Sequence, residues 1–157
     1  MTIYFGDSTT MASASGMANK VIQVVERRTT AKFATTNQTY TNVTDFYATI
    51  TPTSSSNKVL FMSFANFGAG NTGHDNFARV TRNGTNIMPQ DQSIRMPSAY
   101  LVSTFNNTIL DSPNTTSAVT YRYQVRAAAN EVFLNRGGSN THRGYSSIIL
   151  MELTPWV

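Results

Sequence analysis

From Lys20 onward the apolar positions recur every second residue over short stretches, which is the period of strands and not of helices. Val21 to Thr30 is apolar and β-branched up to Arg27-Arg28, and Asn42 to Thr51 carries Val43, Phe46, Tyr47 and Ile50 before Thr51-Pro52 and a serine-rich turn. Lys58 to Phe67 is strongly apolar and is expected to stop at Gly68-Ala69-Gly70. Phe77 to Arg82 runs into Asn83-Gly84, a hairpin signal because both turn positions require positive φ, with Thr85 to Met88 as its partner. Tyr100 to Leu110, Val119 to Ala127, Glu131 to Asn135 and Tyr145 to Leu153 complete the set. Short strands punctuated by turns, with no amphipathic segment of helix length, predict an all-β, antiparallel sandwich of jelly-roll type over residues 20–157.

The strands differ in kind. Val119, Tyr121, Tyr123, Val125 and Ala127 alternate with Thr120, Arg122, Gln124 and Arg126, so one face meets a core and the other meets water or a polar partner. Lys58 to Phe67 instead sets Val59, Phe61 and Phe67 against Leu60, Met62 and Phe64, and Tyr145 to Leu153 sets Ile149, Met151 and Leu153 against Ile148 and Leu150. Antiparallel sheets normally wet one face, so strands apolar on both sides need a second cover. A neighbouring subunit is the simplest one. The expectation is a homotrimer with Phe61, Phe64, Ile148 and Leu150 at the subunit interface.

Residues 1–19 stand apart from this pattern. Ile3, Tyr4 and Phe5 form an apolar knot ahead of a stretch of small and polar residues too poor in apolar groups to fold alone. They read as an N-terminal arm that docks on a partner through Ile3, Tyr4 and Phe5.

Composition sharpens the class. Charged residues are 13% of the chain, against about 25% in an ordinary soluble domain, and Thr, Ser and Asn fill the difference. Their short side chains hydrogen-bond to nearby backbone and favour turns and strands over helix interiors. The net charge of +4 is spread along the sequence with only Arg27-Arg28 adjacent, not concentrated as a nucleic-acid binder requires, so no nucleic-acid partner is expected. With no cysteine, disulfides and thiolate metal sites are ruled out. No apolar run approaches the ~20 residues that span a bilayer, and Met1 to Lys20 lacks the apolar middle of a signal peptide. Synthesis in the cytoplasm without export by that route, and no membrane insertion, are the expectations.

The pieces of an active site are scarce. His74 and His142 show no metal-ligand spacing, His74-Asp75 lies in a Gly/Asn-rich loop, and the sequence has no nucleophile elbow. Eight acids are dispersed along the chain and assign no glycosidase pair. The reading is a protein that is not an enzyme and carries no catalytic residue, metal or cofactor. For a sugar site the candidates are Tyr100, Tyr121, Tyr123, Tyr145 and Trp156, with Tyr121 and Tyr123 expected in the core instead.

Lys20 to Val25, Ile50 to Leu60, Arg82-Asn83-Gly84-Thr85, Leu110-Asp111-Ser112-Pro113, Ile148 to Leu153 and the opening Met1 to Asp7 resemble small β-sandwich proteins encoded by tailed phages, especially those of cyanobacteria and marine bacteria. The resemblance spans nearly the whole chain through short motifs. It implies a virion structural protein, usually trimeric, that contacts other capsid or tail proteins. The small size favours a capsid decoration or cement protein. The alternative is a tail-fibre, spike or receptor-binding protein that contacts host-surface carbohydrate.

Overall fold

A computed structural model describes residues 20–70, 73–136 and 144–155. The arm with Ile3, Tyr4 and Phe5, the residues His142 and Trp156, and the Gly137-Gly138 turn lie outside the described residues. The strands are β1 (Val21–Thr29), β2 (Phe33–Thr35), β3 (Thr41–Ile50), β4 (Lys58–Ala69), β5 (Asn76–Arg82), β6 (Thr85–Asn86), β7 (Gln92–Ile94), β8 (Val102–Asp111), β9 (Val119–Arg126), β10 (Val132–Leu134) and β11 (Ser146–Leu153). No helix occurs among the described residues.

All pairings are antiparallel. In the first sheet β1 pairs β11, β11 pairs β4, and β4 pairs β8, with β10 and β2 extending it beside the far end of β4. In the second the order is β3-β9-β5-β6, and β7 also pairs β5. With the short β2, β6 and β10 set aside, the orders are β1-β11-β4-β8 and β3-β9-β5-β7, the two four-stranded sheets of a jelly roll. The inner faces close on one core. Phe46, Phe61, Phe67, Tyr121 and Tyr123 are fully buried there with Val59, Ile148 and Leu150. Tyr123 is its hub, stacked on Phe46 at 5.3 Å and edge-on to Phe67 at 5.4 Å.

The polar groups that reach between the sheets are satisfied. Arg82 on β5 donates to both oxygens of Asp111 on β8 at 2.7 Å, and the Tyr121 hydroxyl donates to Asp111 at 2.6 Å. Burial first, and then this acceptor, push the Tyr121 phenol far above its ordinary value. Asn107 donates to the Tyr123 hydroxyl at 2.7 Å, and Ser63 lies 2.7 Å from the same oxygen. Asn135, buried and in the left-handed region at φ 54°, donates to the carbonyls of Thr29 and Ala31 and accepts from Ser146. Its backbone N–H donates to Asn66 O at 3.0 Å.

Asn83 and Gly84 sit at φ 47° and 89°, as the hairpin signal requires, but β6 is only two residues long. The larger departure is at Gly68-Ala69, where β4 does not stop. It continues because Gly68 pairs Val102 on one side and Phe133 on the other. A Cβ at Gly68 would lie 2.3 Å from Leu101 O and 2.3 Å from the Phe133 ring, so glycine is present for close approach and not for a turn. Gly68→Ala is therefore expected to destabilise the fold by about 1–3 kcal/mol, the usual range for overpacking, measured by chemical denaturation. An unchanged denaturation midpoint would contradict this geometry.

Candidate functional site

The alternation of each strand decides which side chains leave the core. On β4 and β11 the inward set is Val59, Phe61, Ala65, Phe67, Ile148 and Leu150, all at 0% exposure. Three of the four residues expected at a subunit interface, Phe61, Ile148 and Leu150, are therefore core residues of the single chain. They lie on the face that meets the second sheet and not on the outward face. The second sheet already covers them. Phe64 is half-buried and belongs to the outward set.

That outward set is apolar and continuous. Register places Val24 opposite Met151, Met151 opposite Leu60, and Leu60 opposite Leu110, a row of four apolar side chains across four strands. The next row runs Glu26, Ile149, Met62 and Thr108, and the one after it Arg28, Ser147, Phe64 and Asn106. Tyr145 stacks on Phe64 at 5.4 Å. Val24 is 56% exposed, Leu110 48% and Tyr145 52%, while Leu60, Met62, Ile149 and Met151 between them are half-buried by one another. Glu26 and Arg28, ion-paired at 2.6 Å, border this area together with Thr108 and Asn106. An apolar centre with a polar rim is the anatomy of a protein–protein contact.

The outer face of the second sheet has the opposite character. Arg122, Gln124 and Arg126 project from β9, Phe77 and Arg79 from β5, and Tyr47 from β3. Each arginine lies over an aromatic ring: Arg122 at 4.5 Å from Tyr47, Arg79 at 3.8 Å from Tyr40, and Arg126 at 4.1 Å from Phe77. A groove of about 300 Å³ opens beside them, lined by Asn42, Thr81, Asn83, Thr120, Arg122 and Gln124. The period-2 pattern of residues 119–127 identified this face as polar. The ring partners come from other strands, so the sequence carried no local sign of them.

Of the tyrosines considered for sugar stacking, Tyr121 and Tyr123 are fully buried, and Tyr100 and Tyr145 are exposed. His74 is exposed in the loop that leads into β5. Among the described residues no three His, Asp or Glu side chains gather as a metal-binding group, and no helix is long and apolar enough to cross a membrane.

No protein-family model matches the chain, and no curated protein matches it. Among solved structures, dimeric latent PorU from Porphyromonas gingivalis aligns at 10% identity and TM-score 0.40, over 88% of this chain and 14% of that one. The VP2 subviral particle of infectious bursal disease virus aligns at 12% identity and TM-score 0.40, over 93% of this chain and 42% of that one. The chain thus spans less than half the length of either protein.

Proposed function

We propose that the chain is a non-enzymatic structural protein of a phage virion that assembles as a homotrimer through the outer face of its first sheet. The observation that carries the assembly is the apolar row Val24, Met151, Leu60 and Leu110, flanked by Ile149, Met62 and Phe64. A monomer would hold this row in water at the centre of a sheet, and burying a side chain of this size is worth about 1.5–3 kcal/mol. The virion placement rests on the resemblance to small tailed-phage sandwiches. Capsid decoration is the placement proposed first, and a tail-fibre or spike protein is the alternative. The arm bearing Ile3, Tyr4 and Phe5 is proposed as the grip on other virion proteins.

Light scattering of the purified chain at micromolar concentration is expected to return the mass of a trimer. Met62→Asp, in the middle of the face, is expected to yield a folded monomer, because the charge is desolvated only in the assembly. A monomeric wild-type chain would refute the oligomer. Electron microscopy of an intact particle, with the chain found on the capsid, the tail or neither, tests the placement separately.

A further inference from the structure

We propose that the groove on the outer face of the second sheet binds an acidic saccharide, a pyranose chain bearing carboxylate or sulfate groups. The inference concerns the opposite sheet from the assembly face and does not depend on what that face joins.

Charge is the first argument. Among the described residues the ion pairs engage Arg28, Arg82 and Arg136, and none engages Arg79, Arg122 or Arg126. Asp91, close to this region, accepts the Tyr40 hydroxyl and pairs with none of the three. Three guanidiniums thus outnumber Asp91, the carboxylate that bonds the Tyr40 hydroxyl beneath Arg79 and Arg126, and this excess of positive charge attracts an anion.

Their positions are fixed in advance. Arg79 Nε donates to Gln124 Oε1 at 2.9 Å, and Gln124 Nε2 donates to Asn42 Oδ1 at 2.9 Å. With the ring beneath each guanidinium, the forks are held on the sheet surface before any ligand arrives, which lowers the ordering cost of binding. Arg122 and Arg126 lie four residues apart on one strand, about 13 Å at ~3.3 Å per residue. Amides and hydroxyls of Asn42, Thr81, Asn83, Thr120 and Gln124 line the groove. Guanidiniums suit carboxylate or sulfate oxygens bidentately. Gln124 and its strand partner Asn42 lie between Arg122 and Arg126, Thr81 lies beside Arg122, and Thr120 and Asn83 lie beyond it; these amides and hydroxyls match ring hydroxyls.

The same features disfavour a nucleic-acid strand. Sequence-tolerant strand binding depends on open aromatic planes for base stacking. Here Tyr40, Tyr47 and Phe77 are each occupied by a guanidinium.

The test is titration calorimetry of the full chain with oligogalacturonate, dextran sulfate, neutral dextran and a single-stranded oligonucleotide. Binding is expected for oligogalacturonate, dextran sulfate or both, and the two arms separate carboxylate from sulfate recognition. Neutral dextran is expected to give no heat of binding. Arg122→Ala and Asn42→Ala should each weaken the acidic saccharide at least tenfold, with Arg122→Lys in between because it keeps charge and loses the fork. Arg28→Ala, which removes the same charge from the opposite sheet, should leave affinity unchanged, as should Met62→Asp. The proposal is overturned if no acidic saccharide binds, if Arg28→Ala weakens binding as much as Arg122→Ala, or if the oligonucleotide binds as tightly as the saccharides. Circular dichroism of each variant checks that the sandwich is intact. Should Arg122→Ala unfold, Asn42→Ala at the exposed rim decides the matter by the same criterion.

Discussion

Ile148→Asp is expected to abolish cooperative folding, while Phe64→Asp leaves a folded chain that no longer self-associates. The two residues lie on neighbouring strands and look alike in sequence, but the sheet points them in opposite directions. Ile148 is at 0% exposure between the sheets with no cation beside it among its core neighbours. An uncompensated buried charge costs roughly 3–5 kcal/mol, and the lost isoleucine burial adds about 1.5–3 kcal/mol. Together these approach the whole stability of an ordinary domain, about 5–15 kcal/mol. Phe64, half-buried against Tyr145, gives up a ring stack and little else in the isolated chain. Near-UV circular dichroism with light scattering reads both outcomes. A folded, cooperatively melting Ile148→Asp chain would show that the core is drawn wrongly.

The second large effect belongs to Glu152, buried on the core side of β11 beside Leu150. Burial alone pushes its carboxyl upward. Donations from Asn57 Nδ2 (2.6 Å), Gln23 Nε2 (2.6 Å), the Thr53 N–H (2.7 Å) and the Thr53 hydroxyl (2.8 Å) outweigh that, and the net position is below the ordinary 4.5. All four donors are neutral, so the charge is held by hydrogen bonds and not by a counter-ion. Glu152→Ala leaves these donors without their acceptor at about 1–3 kcal/mol each for those that stay buried, and a loss of roughly 3–5 kcal/mol is expected. The sign of the pH dependence follows from the lowered value. The unfolded carboxyl takes up its proton first, so the contribution is full well above pH 4.5 and declines as pH falls through that value toward the folded one. Glu152→Gln is expected to be less stable than wild type at pH 7 and to lose less on acidification. Parallel acid-unfolding curves for Glu152→Gln and wild type would refute this role.

Periodicity made Val119 to Arg126 legible, because half-burial writes itself as alternation, whereas Ser146 to Leu153 shows as a strand but, being apolar on both sides, hides which face is buried. It did not reveal β2 or β7, each three residues long and too short for any period. It also misread Gly68, since a glycine demanded by a ring from β10 looks the same as one that ends a strand. Alternation shows that a strand has two faces without saying which sheet lies over which. For that reason Phe61, Phe64, Ile148 and Leu150 are equal candidates for an interface in the sequence, although only Phe64 points away from the second sheet. Glu152 and the arginine–aromatic face were illegible for a related reason. The Glu152 partners Gln23, Thr53 and Asn57 lie 95 to 129 residues away, and Arg79 meets Tyr40 only once the sheet has formed.

The position of β11 between β1 and β4 has a consequence for how the chain comes off the ribosome. The strand that joins them is the last of the described strands to be synthesised, and Thr29 waits for Ser146 to complete its pairing. At about 5–20 residues per second that wait is on the order of ten seconds. Throughout it β1 and β4 have no central strand to join them, and the edge of β4 that β11 pairs stays open. Pairings of such long sequence separation also make the final closure slow. Until β11 emerges the nascent chain is therefore a set of hairpins with open edges, and the sandwich closes only afterwards.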